Sequence, residues 1–220
     1  MATEAKSDKH KKLELYGQCL SMICLSGPAS FTFPIKRKPV DRSVQRRVLE
    51  NWDVKDASGL KEMLNWLLCE GRRENYERQA YYLSALPESE RLRYIGSLKE
   101  EKLLTEFSIV HYYLRRLPAG GIAAVDFAWC AFMCRAGLEF HYMGQDDYWT
   151  YLLQITRAAQ RSYSGWSEYV NGFAAGVQYV DADLTFDYVS RNRPVLTKLL
   201  ASPHSPYRQV DWNMVLEKPS

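Results

Sequence analysis

Asp126 is the ionisable residue with the most to explain. It sits inside Ile122–Cys134, a stretch that is otherwise apolar, where a lone carboxylate is costly to bury. It must meet a cation, a hydrogen-bond network, a surface groove or a partner. Arg135 and Arg157 are the candidate counterions from neighbouring elements. A structural ion pair is preferred over a functional acid, because ion-pair networks also perturb titration. Glu139, His141 and Glu168 are the residues that could join Asp126 in acid/base chemistry. Cys130 and Cys134, four apart, share a helix face. They could bind a metal or form a redox pair; the plainer reading is two small apolar residues in a core helix. His10, His111, His141 and His204 lie far apart and outside any H-E-x-x-H or C-x-x-C setting, so no metal and no cofactor is expected.

One motif imitates an active site. Val177-Gln-Tyr-Val-Asp181-Ala-Asp183-Leu-Thr185 looks like the apolar strand and D-x-D-x-T of haloacid-dehalogenase-type phosphatases, whose first Asp is a phosphoryl nucleophile and whose second is the acid/base. That chemistry needs a following sheet, a Lys and further carboxylates, and only 35 residues follow Thr185. The preceding Trp166–Val177 stripe is helical in spacing. Asp181 and Asp183 are therefore read as the polar end of one helix and the cap of the next. No G-x-S-x-G elbow, P-loop or G-x-G-x-x-G turn is present.

Helices have to position these groups. Helical periodicity recurs along the chain and strand alternation is nearly absent. Leu60, Met63, Leu64, Leu67 and Leu68 follow one face behind a Ser58 cap and ahead of Gly71. Pro87, with Glu88 and Glu90 behind it, marks a helix start. Leu103, Phe107, Val110 and Leu114 form a stripe that Pro118 and Gly120-Gly121 end. Gly121–Tyr142 is apolar on nearly every face, which places it at the centre. Asp146 and Asp147 open a helix carrying Tyr148, Leu152, Ile155 and Ala159. Ser164 caps the next, with Glu168 in its first turn and Trp166, Tyr169, Val170, Phe173 and Val177 as its buried stripe. Gly172 and Gly176 are spaced to let another backbone approach. A weaker helix covers about Asp183–Leu200, bent at Pro194. Ser202–Tyr207 is extended by its prolines, and Trp212, Met214 and Leu216 give the tail something to dock with. The expected fold is all-α: a single irregular multi-helix bundle over residues 13–220 around a central apolar helix at about 121–142, preceded by a frayed N-terminal segment, 1–12.

A chain of 220 residues buries enough surface to fold without staples. Its 15 Tyr, 8 Phe and 6 Trp suit a thick core or a contact surface, and core is preferred. The net charge of +3 is mild. Basic residues cluster only in Lys6–Lys12 and Lys36–Arg47, which read as solvated surface, so nucleic-acid binding is disfavoured. The odd count of five cysteines, set in apolar patterns, points to reduced, buried thiols in a cytoplasmic protein. The charged first dozen residues are unlike a signal peptide, and Ile122–Cys134 is too short to span a bilayer, so no membrane association is expected.

Several stretches together resemble one family. These are Asn51-Trp52-Asp53-Val54, the Leu60–Cys69 helix with Glu70-Gly71-Arg72-Arg73, Val125-Asp126-Phe127-Ala128-Trp129, Tyr142–Trp149, Ser164–Tyr169 through Gly176, and Ser205-Pro-Tyr207 with Asp211-Trp212. They are similar to the signatures of the bacterial YbeU/YbeR-like group, domain-of-unknown-function family twelve-sixty-six, over about Val48–Trp212. Val125 and Trp129 stand where that family carries Trp and Arg around the Asp, and Val177 stands where it carries an Arg. The resemblance implies a helical cytosolic bacterial domain and no established activity. Asp126, Arg135, Trp166, Glu168 and Tyr169 are the residues singled out as a signature or pocket.

Aromatic richness beside an absence of catalytic constellations favours a non-enzymatic protein-protein interaction module, such as a toxin-neutralising immunity protein or an adaptor, whose partner is another protein and for an immunity protein a cognate toxin. The alternative is an enzyme of unknown reaction with a scattered acid/base site around Asp126 and His141.

Overall fold

The computed structural model describes residues 2–25, 40–185 and 187–217. Every regular element among them is helical: α1 (Ala2–Ser21) running into a 3-10 turn (Met22–Cys24), α2 (Arg42–Asn51), α3 (Ala57–Cys69), α4 (Arg73–Ser84), α5 (Glu88–Ser97), α6 (Glu101–Tyr113), α7 (Ala123–Glu139), α8 (Gln145–Ser162), α9 (Trp166–Val180), α10 (Asp187–Ala201) and α11 (Pro206–Gln209). The fold is all-α, as expected. The basic loop 36–39 lies outside the described residues.

The apolar stretch around Asp126 becomes α7, the axis of the molecule. All of its residues are buried except Trp129, Arg135, Leu138 and Glu139. Its alanines and Gly137 let neighbours close in; a methyl at Gly137 would lie 2.1 Å from Leu60 Cδ2. Helices α1, α2, α3, α8 and α9 surround it. Gly172 and Gly176 do what their spacing suggests. A methyl at Gly172 would sit 2.8 Å from Gly121 O, and one at Gly176 would sit 2.9 Å from Val125 Cβ. Helix α9 thus packs hard on the start of α7.

Helices α4, α5 and α6 build a second, smaller core from Tyr76, Leu83, Ile95, Phe107, Ile109 and Val110, closed by Ile122, Ala175 and Tyr179. Two-sided α9 is the shared wall: Tyr169, Val170 and Phe173 face the main core while Ala175 and Tyr179 face the smaller one.

Local chemistry corrects several boundaries. The cap of α3 is Asp56, whose carboxylate accepts from Gly59 N at 2.9 Å, whereas the Ser58 hydroxyl donates to Glu62 within the first turn. The cap of α9 is Gly165, and Ser164 lies one residue further out. Helix α10 begins at Asp187, after an Asp183 carboxylate that accepts from Thr185 N and Asp187 N. The tail is not extended through Tyr207: Ser205 accepts from Tyr207 N and starts the short α11, with Pro206 at its first position, where a missing N–H costs nothing. Cys19, Cys130 and Cys134 are buried thiols, while Cys69 is exposed rather than buried.

Candidate functional site

Helix α3 ends in a left-handed turn. Gly71 adopts φ +66°, and both Glu70 N and Gly71 N donate to Trp66 O at 2.8 Å. The reversal aims the first N–H groups of α4 at the opening turn of α7. There the Asp126 carboxylate accepts from Arg72 N at 2.8 Å and from Arg73 N at 3.1 Å. A side chain 53 residues away thus caps α4, supplying the acceptor that a helix start needs and the charge its dipole favours. Only glycine fits the turn, because a methyl on Gly71 would lie 2.3 Å from Asp126 Oδ2.

Arg73 completes the arrangement. Its guanidinium donates to Asp126 Oδ2 at 3.0 Å, to Leu67 O at 2.7 Å and to Leu68 O at 2.6 Å. It also lies 5.3 Å from the Phe127 ring centre. One ion pair therefore ties the end of α3, the start of α4 and the first turn of α7. Burial pushes the Asp126 carboxyl above its usual range, opposed by the Arg72 and Arg73 N–H groups and the Arg73 guanidinium. Every polar contact at its oxygens is a donor, an arrangement that suits the carboxylate form. The geometry is the structural ion pair expected from sequence, but the counterion is Arg73, not Arg135 or Arg157.

Arg72 points the other way. Its guanidinium carbon lies 5.6 Å from the centre of the Trp52 ring and 5.5 Å from that of Trp66. Trp52, the C-cap of α2, lies 5.9 Å from Trp129 on α7, ring centre to ring centre. These side chains, with Asn51, Asp53, Met63, Val180 and Asp181, line an open cleft of about 630 Å³. Helices α2, α3, α4, α7 and α9 all contribute to it. Each of the three tryptophans is only partly covered, and Arg72 is exposed. Asp53, in a left-handed turn at φ 55°, pairs with Lys55 at 2.6 Å.

A family model described as "Protein of unknown function (DUF1266)" matches residues 47–212. The chain belongs to that family. No curated protein and no solved structure matches it. The matched span contains the whole cleft and the Asp126–Arg73 pair. It leaves out α1, which nevertheless fills the main core with Leu13, Tyr16, Cys19 and Leu20.

The other residues singled out from sequence are dispersed. Arg135 on α7 bonds Glu14 of α1 at 2.6 Å, and the same carboxylate accepts from Gln18 Nε2 at 3.0 Å and from the Tyr148 hydroxyl at 2.5 Å. Burial, then the Glu14 charge, push the Tyr148 hydroxyl well above its usual range. Glu139 and His141 line a cleft of about 260 Å³ beside this network, together with Arg42. Asp126 does not reach it, being about 20 Å away along the helix at 1.5 Å per residue. Arg157 donates to Leu216 O at 3.3 Å in the tail.

Trp166 and Tyr169 belong to the core. Trp166 stacks on Tyr207 at 4.5 Å and donates to Val210 O at 2.8 Å, while the Tyr169 hydroxyl donates to Leu20 O at 3.0 Å. Glu168 accepts from Ser164 N at 2.8 Å, which holds its carboxyl below the usual range. Asp181 is the C-cap of α9, as read from sequence, whereas Asp183 lies four residues before α10 and accepts from Asp187 N at its start. No group of three His, Cys, Asp or Glu among the described residues could hold a metal ion. No helix among them is long and apolar enough to cross a membrane.

Nothing in the sequence spacing of Trp52, Arg72 and Trp129 indicates that three separate helices bring them to one cleft.

Proposed function

We propose that this protein is a non-enzymatic protein-binding module that docks its partner on the tryptophan cleft. The supporting observation is the lining itself: three partly covered tryptophans and an arginine whose guanidinium carbon lies within 5.6 Å of two of their ring centres. Tryptophan, tyrosine and arginine dominate the energetics of protein interfaces, because they combine large area with few degrees of freedom to freeze. The main chain at Arg72 is held to the buried Asp126 carboxylate. An immunity protein or adaptor of the bacterial cytosol is the role that fits a helical domain presenting such a surface. With a net charge of +3 the module suits an acidic partner surface better than the basic groove of a nuclease.

The alternative, an enzyme using Asp126 and His141 together, has less support. Asp126 is occupied by three donors, and it lies about 20 Å along α7 from the cleft that His141 lines.

Affinity purification of the tagged full chain from its native host tests the reading. One stoichiometric partner is expected, and paired W66A and W129A substitutions should release it while leaving the helical circular-dichroism signal unchanged. Recovery of no stoichiometric partner at any salt concentration sinks the proposal.

A further inference from the structure

The tryptophan cleft carries one cation whose hydrogen-bonding edge is unspent. Arg72 has five N–H donors, and its guanidinium makes no hydrogen bond or ion pair with any described residue; its recorded side-chain contacts are the two indole faces. Arg73, the next residue, uses its guanidinium on Asp126, Leu67 O and Leu68 O. The two neighbours thus divide the work, one locking the turn and the other presented to solvent.

The guanidinium carbon lies 5.6 Å from the Trp52 ring centre and 5.5 Å from that of Trp66, and its N–H edge meets no acceptor among the described residues. That edge is the fork that matches a carboxylate with two parallel N–H···O bonds. The backbone of Arg72 is held at 2.8 Å to Asp126, which fixes where its side chain leaves the main chain. Two carboxylates of the chain, Asp53 and Asp181, line the same cleft, yet neither pairs with Arg72. Asp53 is engaged by Lys55. Their charges penalise any anion in the cleft, a dianion such as phosphate more than a monoanionic carboxylate, and they can accept N–H groups from an extended peptide. Met63, Trp129 and Val180 supply apolar wall.

We infer that the cleft reads a carboxylate side chain, Asp or Glu, set next to apolar residues in the partner's chain, with Arg72 as the fork and the three tryptophans holding the apolar flank. The inference rests on the protein-binding reading and names the chemistry of what is bound. Asp126 is a positioning residue for Arg72, and the ligand never touches it.

Nitrogen-15 spectra of the full chain test it through the indole N–H signals of Trp52, Trp66 and Trp129. The probes are an acetylated, amidated Leu-Glu-Leu peptide, its Leu-Gln-Leu counterpart and inorganic phosphate. The Glu peptide should shift the three cleft indoles and leave the buried Trp166 and Trp212 signals in place. The Gln peptide should bind at least tenfold more weakly, and phosphate should not displace the Glu peptide at equal concentration. R72A should weaken Glu-peptide binding at least tenfold, and R72K should not restore it, because an ammonium lacks the fork. R72A keeps the backbone N–H that Asp126 accepts, so unchanged Trp166 and Trp212 signals verify its fold. Equal affinity for the two peptides, unaltered binding by R72A, displacement by phosphate, or no shift with either peptide overturns the inference. A partner captured by wild type and R72A alike would discard the carboxylate site and keep the binding module. A carboxylate-selective cleft in a protein with no partner would do the reverse.

Discussion

At the scale of single residues, Asp126 shows how a sequence can state a need without naming its solution. A carboxylate in an apolar helix demands donors, and the structure supplies two backbone N–H groups and a guanidinium. The demand was legible because it depends only on the neighbours in sequence. The supplier was not, because several arginines were equally available until folding brought the start of α4 against α7. Replacing the carboxylate with its neutral isostere should be costly: Asp126→Asn turns an NH₂ group toward donors and leaves Arg73 without its counterion. The expected loss is about 3 to 5 kcal/mol, the usual cost of removing one member of a buried pair, read from the urea midpoint. A loss below about 1 kcal/mol would mean the pair is replaceable by water.

At the scale of elements, caps decide where each helix begins. Glu168 reaches back from the first turn of α9 to Ser164 N, and that bond, with help from the Ser164 hydroxyl, depresses its carboxyl below the ordinary 4.5. A depressed acid stabilises the fold at pH values above its unfolded pKa, and the contribution disappears as pH falls through its folded pKa. Glu168→Gln should therefore make the acid side of the stability profile shallower below about pH 4.5, the ordinary Glu range, with little change in slope near neutrality. Urea midpoints measured from pH 3 to pH 7 check this, and identical slopes for the two proteins would refute it. Periodicity located the stripes of α3, α8 and α9, because an apolar face repeats every 3.6 residues whatever it packs against, and the lack of any polar face marked α7 as central. It failed at Ser58, Ser164 and Ser202–Tyr207, where the cap is chosen by backbone geometry that several polar residues could satisfy.

At the scale of the whole molecule, α1 is the element to test. It precedes the family-matched residues 47–212, yet Leu13, Tyr16, Cys19 and Leu20 are wholly buried and Met22 of the following turn is too. The Tyr16 hydroxyl donates to Trp212 O, and the Tyr207 hydroxyl donates to Cys19 O, so both ends of the chain close the same aromatic core. Removing residues 1–25 would expose the surfaces that these side chains cover. At about 1.5 to 3 kcal/mol for each large apolar side chain, the loss rivals the 5 to 15 kcal/mol of a typical domain. The shortened chain should melt without a cooperative transition by calorimetry. A sharp transition close to that of the full chain would show that the remaining residues fold without α1.

The sequence by itself determined the helical class, the central place of the stretch around Asp126, the close approach allowed by Gly172 and Gly176, and the helical setting of Asp181. Each follows from periodicity, side-chain size or burial cost, which act between near neighbours. Only the tertiary structure decided that Arg73 answers Asp126, that Trp166 and Tyr169 serve the core, and that Trp52, Trp66, Arg72 and Trp129 share a cleft. Those facts depend on which helix faces meet. Packing settles that jointly over the whole chain, and no local spacing encodes it.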